Sequence, residues 1–147
     1  MKISTRGRYA LRFMIDLGQN SGDKYIALKD ISARQNISIK YLEQITILLS
    51  KSGLLTSVRG PQGGYKLAKA PKDYTIGEIL RATEGNLSPV TCLETAENLC
   101  TLKDQCHTLS LWKGLDDAIN NYLDSKSLQD LLNNPVGIKE LKNDKSN

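Results

Sequence analysis

Three cysteines, Cys92, Cys100 and Cys106, lie within 15 consecutive residues, and the rest of the 147-residue chain has none. The chain opens Met1-Lys2-Ile3-Ser4 without a signal-peptide core, and no apolar run approaches the roughly 20 residues that span a bilayer. A cytoplasmic location with no membrane partner is therefore expected. In that reducing compartment, clustered thiols point to metal or redox chemistry ahead of a structural disulfide. Three thiolates leave one coordination position to fill, and a soft sulphur set suits an iron–sulphur cluster or zinc. Unrelated buried or surface thiols are the competing account.

A second group of residues suits a polyanion. Residues 1–70 carry 12 Lys or Arg against 4 Asp or Glu, a net of +8, whereas residues 71–147 carry 8 against 12, a net of −4. Positive charge gathered in one half favours a phosphate backbone, because each neutralised phosphate releases condensed counterions. Charge alone describes a solvated basic face equally well. Residue types within the basic half sharpen the reading, since Ser38, Lys40, Tyr41, Glu43 and Gln44 fall in the first turns of a predicted helix. Gln44 suits bidentate pairing with adenine, Lys40 a guanine or a phosphate, and Glu43 a cytosine amino group. The hydroxyls of Ser38 and Tyr41 suit phosphate oxygens. Arg59 and Gly60 open a glycine-rich loop that permits close backbone approach, which suits entry of Arg59 into an adjacent minor groove.

The elements that must position these groups follow from periodicity and punctuation. Tyr9, Phe13 and Leu17 share a stripe, with Ala10 and Met14 beside it, predicting a helix from Ser4 or Thr5 to about Asn20. Gly22 and Asp23 turn the chain into a short helix over about Leu28–Gln35, whose preceding Ala27 offers no side-chain cap. Asn36-Ile37-Ser38 reads as a tight turn with Ser38 as cap of the next helix. Leu42, Ile45 and Leu49 face inward on that helix, and Gly53 stops it. Leu54–Val58 and Tyr65–Ala68 flank Arg59-Gly60-Pro61-Gln62-Gly63-Gly64, which is a hairpin signal with a long tip.

Beyond Pro71, Thr75-Ile76-Gly77-Glu78 is a capping box opening a short helix closed by Gly85. A cysteine-bearing loop follows. Leu111, Trp112, Leu115, Ala118, Ile119, Tyr122 and Leu123 then form a wide apolar stripe on a helix from about Thr108 to Leu123. Ser127–Asp130 is a second capping box, with a brief helix ended by Pro135 and a polar, Lys-rich tail behind it. The expected fold is mainly α with a small β-hairpin wing. Residues 1–85 make a winged helix-turn-helix DNA-binding domain, 86–107 a cysteine-bearing sensor loop, 108–134 a dimerisation helix with a short C-terminal helix, and 135–147 a flexible tail.

Helix, short helix, turn, helix and hairpin is the order of a winged helix-turn-helix, whose second motif helix enters a major groove about 12 Å wide. Catalysis is disfavoured. The chain has no nucleophile elbow, no paired-carboxylate constellation and no second histidine, and a strand rather than a helix follows Gly60–Gly64, which makes that loop a poor phosphate cradle.

Met1–Ala10 (MKISTRGRYA), Ile37–Gln44 (ISIKYLEQ) and Val58–Tyr65 (VRGPQGGY) closely resemble the IscR, CymR and NsrR family of bacterial winged helix-turn-helix transcription regulators. The resemblance runs to about Asn134. It implies a homodimer on a double-stranded operator, acting as a repressor, in which a long helix after the cysteine loop crosses its twin. Trp112, Leu115, Ile119 and Tyr122 are the candidates for that seam, with ordinary burial within one chain as the alternative. It also places iron–sulphur ahead of zinc, [2Fe–2S] ahead of [4Fe–4S], in a cluster that protein handled in air can lose.

The ligand set departs from the family pattern. IscR-like members take a histidine three residues after the third cysteine, where this chain has Leu109, and its single histidine is His107, next to Cys106. His107 is the first candidate for the fourth ligand, with Glu97 and Asp104 as oxygen alternatives. The cysteine spacing is closer to nitric-oxide-sensing NsrR members. Those use an acidic residue near the N-terminus of the other subunit, where this chain has Arg8. CymR-like relatives lack the cysteine set and bind a cysteine-synthesis enzyme, so the alternatives are a cluster-free regulator of thiol metabolism with a protein partner and a nitric-oxide-sensing regulator of NsrR type.

Overall fold

The structure, a computed structural model, describes residues 2–20 and 22–134. The expectations for Pro135 and the tail lie outside those residues. Among the described residues six α-helices and one antiparallel hairpin follow in the order α1 (Thr5–Asn20), α2 (Leu28–Gln35), α3 (Ile39–Lys51), β1 (Leu55–Val58), β2 (Gly64–Leu67), α4 (Ile76–Glu84), α5 (Leu109–Ser125) and α6 (Leu128–Asn133). This is the winged helix-turn-helix order, mainly α with a two-stranded wing.

Local signals place the boundaries. Asn36 adopts the left-handed conformation (φ 53°) that turns α2 into α3, and the Ser38 hydroxyl accepts from the backbone N–H of Tyr41 at 3.1 Å. Gly53 (φ 73°) stops α3. Thr75–Glu78 and Ser127–Asp130 both close reciprocal capping boxes. Ala27 caps nothing with its side chain, as its type dictates.

One core joins the elements. Phe13, Met14 and Leu17 of α1, Ile31 of α2, Leu42, Ile45 and Leu49 of α3, and Ile79 of α4 are all completely buried. Burial of this kind drives folding but leaves direction to polar contacts. Asp16 supplies one, since its buried carboxylate accepts from Arg34 Nη2 at 2.7 Å, Arg34 Nε at 3.0 Å and Gln35 Nε2 at 3.0 Å. Arg12 in turn donates to the Gln35 backbone carbonyl and lies over the Tyr9 ring, which meets Tyr41 edge-on. Thus α1 holds both the end of α2 and the start of α3. Arg34 is 40% exposed and regains water when its partner is lost, so Asp16→Ala should cost about 1.5–3 kcal/mol, the range for hydrogen bonds to charged groups. A urea melt with a lower midpoint and unchanged slope checks this.

The hairpin pairs Leu55 with Leu67 through Val58 with Gly64. Its middle is tied to the α1–α2 connection by two backbone bonds between Ile26 and Tyr65, of 2.8 and 2.9 Å. A Cβ on Gly64 would fall on the Ile26 carbonyl, so only glycine lets the backbones approach this closely. Tyr74, completely buried, sits at the hairpin's base, and burial pushes its phenol pKa above the ordinary value against the opposing pull of the Ala68 and Lys69 amides.

Candidate nucleic-acid interface and cysteine loop

Burial of Leu42, Ile45, Thr46 and Leu49 turns the opposite side of α3 outward. Lys40, Glu43 and Gln44 are exposed there, Ser38 is exposed at the cap, and Tyr41 is half-buried against Tyr9. Residues 40, 43, 44 and 47 follow the spacing of one helical face. Ile47 belongs to that face and is 67% exposed, and Ile39, at the first turn, is 44% exposed. Sequence reasoning missed both isoleucines, although the signal was present: apolar residues recur where a solvated face calls for polar ones. The face therefore offers donors, acceptors and apolar surface together, the three chemistries displayed by base edges.

At the wing tip Gly63 N–H donates to the Gly60 carbonyl at 2.9 Å, and Gly60 holds φ 113°. Arg59 and Gly60 are exposed. The wing folds over the start of α2, where Ala27, Leu28, Ser57, Arg59, Gly60 and Tyr65 line a hollow of about 350 Å³. Among the described residues neither Lys40 nor Arg59 is held in an ion pair.

The three cysteines are free thiols on a loop shaped by two short 3₁₀ turns, Thr91–Leu93 and Lys103–Gln105. Cys92 is half-buried and Cys100 exposed, and both line a hollow of about 420 Å³ together with Thr91, Glu94, Thr95 and Leu99. Cys106 stands apart at the head of α5, its Sγ 3.4 Å from Thr108 Oγ1. That hydroxyl, with the backbone amides of Thr108 and Leu109, holds the Cys106 thiol pKa below the ordinary value. His107, Glu97 and Asp104 are all exposed.

The donor chemistry suits a thiolate-held group, but among the described residues no three His, Cys, Asp or Glu side chains are gathered to hold one ion. The four-residue set expected from sequence is therefore not assembled in this arrangement. The physical reason is local. An Asx turn, Cys100 N–H to Asn98 Oδ1 at 2.9 Å, fixes the middle of the loop, while the Thr108 contact holds Cys106 at the helix.

Helix α5 packs on α4 through an Arg81–Asp124 pair, in which Arg81 Nη2 donates to both carboxylate oxygens at 2.6 Å. Ile119 and Leu123 pack against the chain's own core. Trp112 is half-buried, whereas Leu111, Leu115 and Tyr122 are 61%, 42% and 63% exposed. No helix among the described residues is long and apolar enough to cross a membrane.

Fold, capped α3 and glycine-tipped wing together define a DNA-binding transcription regulator of the winged-helix class, and not an enzyme. The sequence pattern of Rrf2, described as an iron-dependent transcriptional regulator, matches residues 3–134, and the chain belongs to this family. It is 40% identical to the HTH-type transcriptional regulator IscR of Photorhabdus laumondii over 134 residues, which are 91% of this chain and 80% of that protein. Among solved structures it is similar to CymR, the global cysteine regulator of B. subtilis, with a TM-score of 0.74 and 38% identity over 92% of this chain and 99% of that one. It is also similar to T. potens IscR, with a TM-score of 0.71 and 38% identity over 92% and 89%.

Proposed function

We propose that the chain is a homodimeric repressor that reads an imperfect palindrome, and that its cysteine loop adjusts operator affinity through a bound iron–sulphur cluster. The observation that carries the DNA-reading part is the outward face of α3, where Lys40, Glu43 and Gln44 stand free behind the Ser38 cap. Gln44 and Glu43 read base edges, Lys40 takes a guanine or a phosphate, and Ser38 and Tyr41 take phosphate oxygens. Ile47 and Ile39 add apolar contact for thymine methyl groups. Arg59 enters the adjacent minor groove, with Gly60 giving the tip its close approach.

Three soft donors in one loop support the cluster reading, and the family's description as iron-dependent supports iron there, with Cys92, Cys100 and Cys106 as ligands and His107, Glu97 or Asp104 as the fourth. The cluster, [2Fe–2S] ahead of [4Fe–4S], would supply a redox- and ligand-sensitive charge at the loop. The loop leaves α4 and rejoins the body at α5, which the Arg81–Asp124 pair binds to α4, so ordering it bears on both the reading head and the α5 seam. Any effect on DNA equals the difference in DNA affinity between the two loop states, typically about 1–3 kcal/mol, or roughly 5- to 150-fold.

Anaerobic purification with an absorption spectrum, followed by operator affinity with and without the cluster, tests this. We expect visible charge-transfer absorption that Cys92→Ala, Cys100→Ala and Cys106→Ala each abolish. Equal affinity of both forms at every operator would rule out the sensing role and leave DNA reading intact. The separation of Cys106 from the hollow shared by Cys92 and Cys100 favours a second reading, a cluster-free regulator of cysteine metabolism working through an enzyme partner. A colourless protein after anaerobic purification would select it.

A further inference from the structure

Tyr74 serves neither the α3 face nor the cysteine loop, yet its hydroxyl is the most heavily used in the described structure. It donates to the Leu54 carbonyl at 2.6 Å and accepts from the backbone N–H groups of Ala68 at 2.8 Å and Lys69 at 3.3 Å. One donor and two acceptor sites are all that a phenol has. Leu54 immediately precedes β1 and Ala68 immediately follows β2, so one oxygen closes both ends of the hairpin onto the segment that leads into α4. Above the ring lies the Lys69 ammonium, 4.8 Å from the centroid and paired with Glu78 at 2.9 Å, which covers the outer side.

The hairpin has other backbone attachments, the Ile26–Tyr65 bridge on β2 and, at the foot of β1, the Leu54 N–H donated to the Leu49 carbonyl at 3.0 Å. Arg59 extends from β1. That strand reaches the body through its pairing with β2, through buried Leu54 and Leu55, through the Leu54 N–H on the Leu49 carbonyl of the preceding helix, and through the Tyr74 hydroxyl. Apolar burial holds without fixing direction. The Leu49 bond ties β1 only to the helix before it, whereas the Tyr74 oxygen ties the feet of both strands to the segment leading into α4, and a recognition side chain needs placement within about 0.5 Å and 10–20°.

We infer that Tyr74 is a positioning residue for DNA recognition: its hydroxyl fixes the direction of the wing and so where Arg59 meets the DNA. This rests on the proposed contact of Arg59 with DNA. The test is a double-mutant cycle with the full-length chain on a duplex selected by the wild-type protein from a random-sequence pool. Tyr74→Phe removes only the oxygen, and should lower affinity roughly five- to thirtyfold, the scale of one or two lost hydrogen bonds, in protein that is still folded by circular dichroism. In an Arg59→Ala background the same change should cost less than about twofold, because coupled residues do not add, while with Lys40→Ala the losses should multiply.

A general loss of stability would not produce that contrast. Equal losses from Tyr74→Phe in both backgrounds, or no loss beside a clear effect of Arg59→Ala, would overturn the proposal alone. No effect of Arg59→Ala would remove the wing contact and overturn the proposal with it. Should Tyr74→Phe not fold, amide exchange of the wild-type chain decides: Ala68 and Lys69 exchanging as slowly as the core support the clamp, and exchange at the rate of an open loop overturns it.

Discussion

Leu115→Glu should turn the proposed dimer into a monomer and lower operator affinity by about 10²–10⁴-fold, the factor by which two linked heads exceed one. Helix α5 uses Ile119 and Leu123 to pack on its own core and leaves Leu111, Leu115 and Tyr122 exposed, with Trp112 half-covered. Apolar side chains recurring on the outer side of one helix suit a self-complementary seam, in which each residue meets its symmetry mate's surroundings. A carboxylate at Leu115 meets its twin across such a seam and loses its water. Because Leu115 contributes little to the core of one chain, the variant should keep its helical content and thermal transition as a folded monomer. Light scattering gives the mass, and fluorescence anisotropy on the same operator gives the affinity. A Leu115→Glu protein that stays dimeric and binds as before would place the seam elsewhere.

The second large effect is a split between specificity and affinity on the α3 face and the wing. Gln44→Ala should relax base preference by about 1–3 kcal/mol per half-site, because the amide is suited to pair with both edge groups of adenine. Lys40→Ala and Arg59→Ala should weaken binding to all sequences and lower the salt slope by roughly one counterion per head. All three side chains are exposed and outside the core, so these changes should leave the melting transition in place. Titrations at several salt concentrations on matched and mismatched duplexes separate the two behaviours. If Gln44→Ala and Lys40→Ala changed affinity by the same factor on every duplex, the assignment of reading and anchoring roles would be wrong.

What the sequence made legible divides along a physical line. Helix ends, the left-handed stops and both capping boxes depend on residues within a few positions of one another, and the structure places them where Ser38, Gly53, Thr75, Gly85 and Ser127 point. The inward set Leu42, Ile45 and Leu49 follows from period alone. Contacts between residues far apart in sequence carry no such mark. Asp16 reads as a polar residue on an amphipathic helix, and only the fold brings Arg34 and Gln35 to it. Tyr74 reads as part of a linker, yet it is completely buried because the hairpin closes over it.

Helix α5 shows the same limit within one element. A wide stripe was evident, but which edge of it meets α4 depends on Arg81 and Asp124, 43 residues apart. The cysteine loop has neither period nor core, so spacing gave the donors without their arrangement. Its short turns and the Thr108 contact are local choices that separate Cys106 from the other two.

Hydroxyl-radical footprinting of the full-length protein on the duplex it selects from a random pool tests the central claim most directly. A dimer reading through α3 and the wing predicts two protected patches related by a two-fold axis, centred about one helical turn or a multiple of it apart. Protection of the minor groove beside each patch should vanish selectively in Arg59→Ala. A single patch without two-fold symmetry, or uniform protection independent of sequence, would contradict the account.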